Sequence, residues 1–290
     1  MNSFKKNIIS LLLLSILISC TQQTGDREEI NHPRGTLVPA EPQNVGMSAG
    51  RLARIDSLMN RYIENEWLPG SVAFIARKGN IAYHRSFGMR DVEEGEPMEK
   101  DDIFRIASMT KAVTTVAILM LYEEGHFLLD DPVHKFIPEF KDPEVLTEVN
   151  KEDSTYTSRP ADKQITLRHL LTHTSGIGYG FSHPRLKILY DKAGIPDGLV
   201  MTDATLEKTI PRLAQMPLLH DPGEDFTYGL NTDVLGYLVE VISGKSLKQF
   251  FRERIFEPLE MNDTYFYLKE DMADRLVTLY AEDEEGLQRS

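Results

Sequence analysis

The sequence predicts a mixed α/β domain that turns helical in its middle. Three observations carry this: an amphipathic helix pattern after Ser48, two strand-like runs separated by Gly79-Asn80, and two strongly apolar helices beginning at Ser108 and Asn231. The chain has 290 residues, 41% hydrophobic and 27% charged, which is ordinary globular composition. Its formal net charge of -13 argues against a nucleic-acid-binding protein, which needs a basic footprint.

The N-terminus reads as an address. Lys5 and Lys6 precede an apolar run from Ile8 to Ile18, too short for a spanning helix of about 20 apolar residues. Residues 1–19 are read as a signal peptide. It closes on Leu17-Ile18-Ser19-Cys20, which resembles the bacterial lipobox, and Cys20 is read as the lipidation site. Cys20 is the only cysteine, so an internal disulfide and a cysteine-pair zinc site are both excluded. Residues 20–45, polar with Pro33, Gly35, Pro39 and Pro42 spread through them, are expected to form a flexible tether. The domain proper is placed at 46–290. This address implies a bacterial cell-envelope protein, held by a lipid on the outer-membrane or periplasmic side.

Within the domain, Ser48 is a natural N-cap for a helix with Leu52, Ile55, Leu58, Met59 and Tyr62 on one face, ending near Trp67 before Pro69-Gly70. Ser71–Ala76 and Ile81–Phe87 then form a hairpin turning at Gly79-Asn80. From Ser108 a helix apolar around most of its girth runs to Gly125, and such a helix is buried. The stretch from about 126 to 225 is expected to be loop-rich with short helices, punctuated by Gly176, Gly178, Gly180, Pro184 and Pro222-Gly223. Asn231–Ser243 is a second apolar helix with Gly244 as its C-cap, and Ser246–Ile255 a third. There are no internal repeats and no nucleotide-binding glycine-rich loop.

The chemistry centres on Ser108-Met109-Thr110-Lys111. A serine hydroxyl is a poor nucleophile until a base takes its proton. Three residues apart on a helix, Ser108 and Lys111 share a face, and a serine at the helix start sits where a developing oxyanion is favoured. A lysine buried in an apolar stretch gives up its proton more readily than a free one. The four-residue pattern alone is weak, since Ser3-Phe4-Lys5-Lys6 also matches it.

Context decides. Phe104-Arg105-Ile106-Ala107-Ser108-Met109-Thr110-Lys111 resembles the first motif of the serine β-lactamase, penicillin-binding-protein and related esterase superfamily. Leu170–Ile177, containing Thr172-His173-Thr174-Ser175-Gly176, resembles a second stretch, and Pro222–Gly229 a third, followed by Asp233-Val234-Leu235-Gly236. The resemblance runs from about Ser48 to Tyr280. It implies a β-lactamase/transpeptidase-like fold: an antiparallel sheet flanked by helices, with a mostly helical subdomain between about Ile106 and Phe256. It implies that Ser108 is acylated, that Lys111 helps deprotonate it, and that Tyr228 is general base and then proton donor. The backbone N–H of Ser108 would supply half of an oxyanion hole. His173 is read as part of a structural loop, while His220 and Asn231 are candidate substrate-binding residues. No metal and no organic cofactor are implied.

Two departures narrow the reading. Leu230 stands two residues after Tyr228, where tyrosine-type β-lactamases carry asparagine, and no Ser-x-Asn occurs in the chain. Both favour the carboxylesterase branch and small carboxylic ester substrates. The second departure is that no Lys-Thr-Gly, His-Thr-Gly or Trp-Gly-Gly follows Tyr228, so the resemblance implies a further C-terminal segment and the chain reads as incomplete. The alternatives left open are a β-lactamase or D-Ala-D-Ala carboxypeptidase, and an inactive truncated lipoprotein or binding module.

Overall fold

The computed structural model describes residues 37–150, 152–198, 200, 202–284 and 286–290. The signal peptide, Cys20 and the tether up to residue 36 lie outside the described residues. The chain opens with β1 (Val38–Pro39), a 3-10 turn (Pro42–Val45) and helix α1 (Ala49–Glu64). The Ser48 hydroxyl caps α1 by accepting from Arg51 N–H at 3.4 Å, as its position predicted. The tether expectation is corrected at its end. Val38–Pro39 pairs in parallel with the strand that follows the hairpin turn, Ala40 N–H donates to Ile81 O at 3.0 Å, and Val45 is only 2% exposed.

Strands β2 (Gly70–Arg77) and β3 (Asn80–Asp91) form the hairpin, and β4 (Glu96–Pro97) folds back on β3. The turn is Lys78-Gly79, one residue earlier than expected. Both residues have positive φ, 53° and 73°, the geometry whose twist matches the flanking strands. The sheet order is β1-β3-β2 with β4 also on β3, so the sheet is mixed rather than wholly antiparallel.

Beyond Ile103 the chain is clamped to the later segment 275–277, with Ile103 N–H donating to Arg275 O at 2.7 Å and Val277 N–H to Ile103 O at 2.9 Å. A 3-10 turn (Ala107–Met109) then opens into α2 (Thr110–Glu123), which stops before Gly125 at φ 81°. The expected loop-rich stretch contains a hairpin that the pattern reading missed, β5 (Glu144–Val149) and β6 (Tyr156–Pro160). Short helices α3 (Leu167–Leu171), α4 (Pro184–Ala193) and α5 (Leu206–Leu213) follow. Helix α6 (Asn231–Ser243) ends at Gly244, φ 68°, where the sequence placed the cap. The third helix is shorter than expected: α7 (Leu247–Phe251) passes into a π-helical turn (Arg252–Phe256). A hairpin of β7 (Tyr280–Asp283) and β8 (Gly286–Arg289) lies near the end.

Most of the core belongs to the helical part. Ile118 of α2, Leu167 and Leu170 of α3, Leu186 of α4, and Val234 and Leu238 of α6 all have 0% exposure and belong to one cluster. Burying each such side chain stabilises by roughly 1.5–3 kcal/mol. The core therefore fixes α2 against α6, the two helices whose N-termini lie at the candidate site. Among the described residues no helix is long and apolar enough to cross a membrane.

Candidate active site

Ala107 has φ 41°, a left-handed conformation that costs an L-residue about 1–2 kcal/mol. It turns the chain sharply at the start of the 3-10 turn, so that Ser108 is exposed just ahead of α2. The α-helix proper begins two residues after the serine, and the turn carries Ser108 at its N-terminal, electropositive end. Half-buried Lys111 is one turn on, and its Nζ donates to Ser108 Oγ at 3.1 Å. The Tyr228 hydroxyl donates to the same Oγ at 2.9 Å. Lys111 Nζ also stands over two rings, 4.9 Å from the centroid of Tyr228 and 5.8 Å from that of Tyr179.

The electrostatics correct one expectation. Burial acts most strongly on Lys111 and pushes its pKa down, but interaction with the hydroxyls of Tyr228 and Tyr179 outweighs it, and the net shift is upward. Tyr228 shifts the other way. The Lys111 ammonium, then the Ser108 contact, hold its phenol below the usual tyrosine range. The charged form of the lysine is favoured, and the group made easier to ionise is the tyrosine.

Tyr228 is aimed by a loop that leaves little freedom. Gly223 adopts φ 88° and donates to Thr174 O at 2.7 Å, and Thr227 N–H donates to His173 O at 2.8 Å. A Cβ on Gly229 would come within 2.1 Å of Ile177 O, so only glycine fits directly after the tyrosine. At the loop's start, Asp221 is 1% exposed and accepts from Asp162 N–H at 2.7 Å and from both terminal nitrogens of Arg159, one at 3.3 Å. Asp221 is held well below the usual carboxylate range, first by Arg159 and then by the Asp162 amide.

The two candidate substrate-binding residues are corrected. Asn231 has 0% exposure; its Oδ1 accepts from Ser175 Oγ at 2.5 Å, and its Nδ2 donates to His173 Nδ1 at 3.1 Å and Ile177 O at 3.2 Å. It pins the Thr172–Gly176 stretch to α6 and, being fully buried, presents nothing to a ligand. His220 spans its own loop: Nδ1 donates to Asp221 O and Nε2 accepts from Thr227 Oγ1, both at 2.9 Å. Neither residue lines the cavity at Ser108. His173 lies in the loop where the sequence placed it, with its ring 5.1 Å from that of Tyr228. Burial, then the charge of Lys111, lowers its pKa.

Three features escaped the sequence reading. Tyr179, between Gly178 and Gly180, packs edge-on against Tyr228 at 5.4 Å, and burial raises its pKa. Asp233, in the first turn of α6, lines the cavity, and its pKa is raised by burial. The cavity itself, about 530 Å³, runs from Ser108 to apolar walls formed by Leu206 and Ile210 of α5, Leu247 and Phe266.

The Beta-lactamase family model matches residues 55–289. Esterase EstB of Burkholderia gladioli is 36% identical over 232 residues, covering 80% of this chain and 56% of the relative. Lovastatin esterase of Penicillium rubens is 35% identical over 214 residues, covering 71% of this chain and 51% of the relative. The chain therefore spans about half the length of the curated relatives it matches. Among solved structures, EstCE1, a hydrolase with promiscuous acyltransferase activity, superposes with a TM-score of 0.71 at 32% identity, covering 82% of this chain and 58% of that one. Unliganded simvastatin synthase LovD from Aspergillus terreus superposes with a TM-score of 0.70 at 31% identity, covering 84% of this chain and 62% of that one. The β-lactamase/transpeptidase-like fold expected from the motifs agrees with these matches.

Proposed function

The chain belongs to the Beta-lactamase family, and from that premise we propose that it is a serine hydrolase that forms an acyl-enzyme on Ser108 and hydrolyses small carboxylic esters. The observation that carries the reading is the convergence of Lys111 Nζ and Tyr228 OH on one serine oxygen, at 3.1 and 2.9 Å. Both partners lie within the reach that proton transfer requires.

In this reading Lys111 remains an ammonium and Tyr228 is the base. Ionised Tyr228 takes the Ser108 proton across the 2.9 Å contact as Oγ attacks the ester carbonyl. The Ser108 amide, at the electropositive start of the turn into α2, donates to the oxyanion. Tyr228 then returns its proton to the departing alkoxide, leaving the acyl group on Oγ, and the same group activates the water that releases the acid. Lys111 contributes charge rather than a proton: it favours the tyrosinate and balances the negative charge that builds at Oγ.

The apolar wall supports esters over β-lactams. Leu230, 5% exposed, lines the cavity where an asparagine would offer hydrogen bonds to a substrate amide. The names of the esterase relatives point the same way. The decisive experiment is intact mass before and after a fluorophosphonate probe, with Ser108→Ala alongside. A single adduct on the parent that is absent from the variant is the expected result, and no adduct on folded protein would sink the hydrolase reading. Faster turnover of a chromogenic cephalosporin than of p-nitrophenyl butyrate would overturn the ester preference. We extend the proposal to the cell envelope through lipid-bearing Cys20, supported by the lipobox-like sequence alone. Incorporation of labelled palmitate that is lost in Cys20→Ser tests that step.

A further inference from the structure

The cavity at Ser108 carries one charge of each sign, and the two have different surroundings. Among the described residues, its lining includes one cation, Lys111, and one carboxylate, Asp233, with no arginine and no second lysine. Lys111 is already committed to Ser108 Oγ and to the faces of Tyr228 and Tyr179. Asp233 has no such direct partner: burial and the neighbouring charge of Asp197 work against its ionised form, and the charge of Lys111 favours it. Among the described residues no ion pair and no hydrogen bond from another residue reaches its carboxylate, which accepts only from its own backbone N–H. The remaining walls are methyl, methylene, ring and threonine groups, Leu206, Ile210, Leu247 and Phe266 among them. At about 530 Å³ the space exceeds what an acetyl group needs and falls in the range of small-molecule sites, roughly 300–1,000 Å³.

A carboxylate carried into this space on an acyl chain would lose its water, meet the Asp233 carboxylate and find the one lining cation already in contact with Ser108, Tyr228 and Tyr179. Like charges brought together in such surroundings are strongly disfavoured. An uncharged chain of several carbons would instead bury apolar surface and leave Asp233 to water or to a neutral donor. We propose that Asp233 is a specificity-determining residue that makes the cavity accept uncharged acyl groups and reject acyl groups ending in a carboxylate. The inference rests on the hydrolase reading for its chemistry, but the selectivity belongs to binding and is measurable without turnover.

The test uses two acyl groups of the same shape, 5-methylhexanoyl and 4-carboxybutanoyl, which differ only in an isopropyl or a carboxylate tip. With the p-nitrophenyl esters at neutral pH, the parent is expected to prefer the isopropyl tip by at least about 30-fold in kcat/KM, and Asp233→Asn to shrink that ratio by at least about fivefold. The ratio is the readout because a general loss of activity in the variant moves both esters together. Asp233→Ser replaces the asparagine variant where the latter does not fold. Binding of the matching p-nitroanilides to Ser108→Ala and to Ser108→Ala/Asp233→Asn, followed by calorimetry, gives the same comparison with no chemistry. If the esters are not turned over but the anilides show the Asp233-dependent preference, the hydrolase reading falls and the selectivity stands. A ratio unchanged within about twofold by the substitution, or no binding of either anilide, overturns the proposal.

Discussion

Tyr228→Phe tests the proposed proton-transfer step apart from the architecture around it. The substitution removes one hydroxyl and keeps the ring, and the ring's packing is extensive: 5.1 Å to His173, 5.4 Å to Tyr179 and 4.9 Å to Lys111 Nζ. Tyr228 is 40% exposed, so water can satisfy Ser108 Oγ in place of the lost donor, and the stability cost should stay within the roughly 0.5–1.5 kcal/mol of a net hydrogen bond. The catalytic cost is larger. A positioned general base contributes about 100- to 10,000-fold, equivalent to about 2.7–5.4 kcal/mol of barrier. The expected outcome is therefore a kcat reduced at least about 100-fold, a KM changed little, and a nearly native melting curve. The pH profile gives an independent check. Because Lys111 and Ser108 lower the Tyr228 pKa, the parent's kcat/KM should rise with pH through an ionisation below the ordinary tyrosine value, and this limb should vanish in the variant. A Tyr228→Phe protein within tenfold of the parent, with the limb intact, would show that another group takes the serine proton.

Other substitutions probe the scaffold. Asn231→Ala should destabilise the fold by about 3 kcal/mol, because Ser175 Oγ and Ile177 O lose a buried partner, and a chemical-denaturation series measures it. An effect confined to KM would instead restore Asn231 as a substrate contact. Gly229→Ala forces a backbone carbonyl at 2.1 Å to move, so both the melting temperature and the labelling rate of Ser108 should fall. Asp221→Asn should lower the melting temperature near pH 7. The folded Asp221 pKa lies below its ordinary 3.8, so the parent's advantage is present above that value and lost as pH falls through the depressed one. The two melting curves should therefore converge in strong acid, and a gap that persists there would mean the Arg159–Asp221 pair is not its source.

The elements that were legible in the sequence are those with a single dominant physical cause. Helix α1 was announced by a capping serine and a 3.6-residue apolar stripe, and α6 by continuous apolarity ended by Gly244. The β5–β6 hairpin was not read, although Glu144-Val145-Leu146-Thr147-Glu148-Val149 is rich in β-branched residues. Its alternation is broken because Val145 and Leu146 are both buried, at 5% each, with the register shifting just after them, so the period-2 signal never forms. The ordered stretch 38–45 was missed for a different reason. Proline-rich polar sequence is permissive, and only the edge of β3 supplies the partner that fixes it.

The site shows the same division between what spacing encodes and what folding supplies. Ser108 and Lys111 are one helical turn apart, so their contact follows from local geometry alone. Tyr228 is 120 residues away from Ser108, and its arrival depends on a glycine that admits Ile177 O, a buried asparagine and an arginine-clamped aspartate. Local reasoning also missed the sign of the net shift on Lys111. Burial by itself argues for a neutral lysine, and burial is indeed the strongest single influence on Lys111. What reverses the outcome is that two tyrosine hydroxyls, from distant parts of the chain, meet the ammonium in the same half-buried space. A lysine between two phenols is stabilised in its charged form, and each phenol that helps it is itself made more acidic or more tightly held. Tyr228, the one that also touches Ser108, is the one whose pKa falls, whereas deeply buried Tyr179 rises. Lys111→Met should therefore displace the base-dependent limb of the pH profile upward, toward the ordinary tyrosine range. If Lys111 were itself the base, the limb would disappear rather than move.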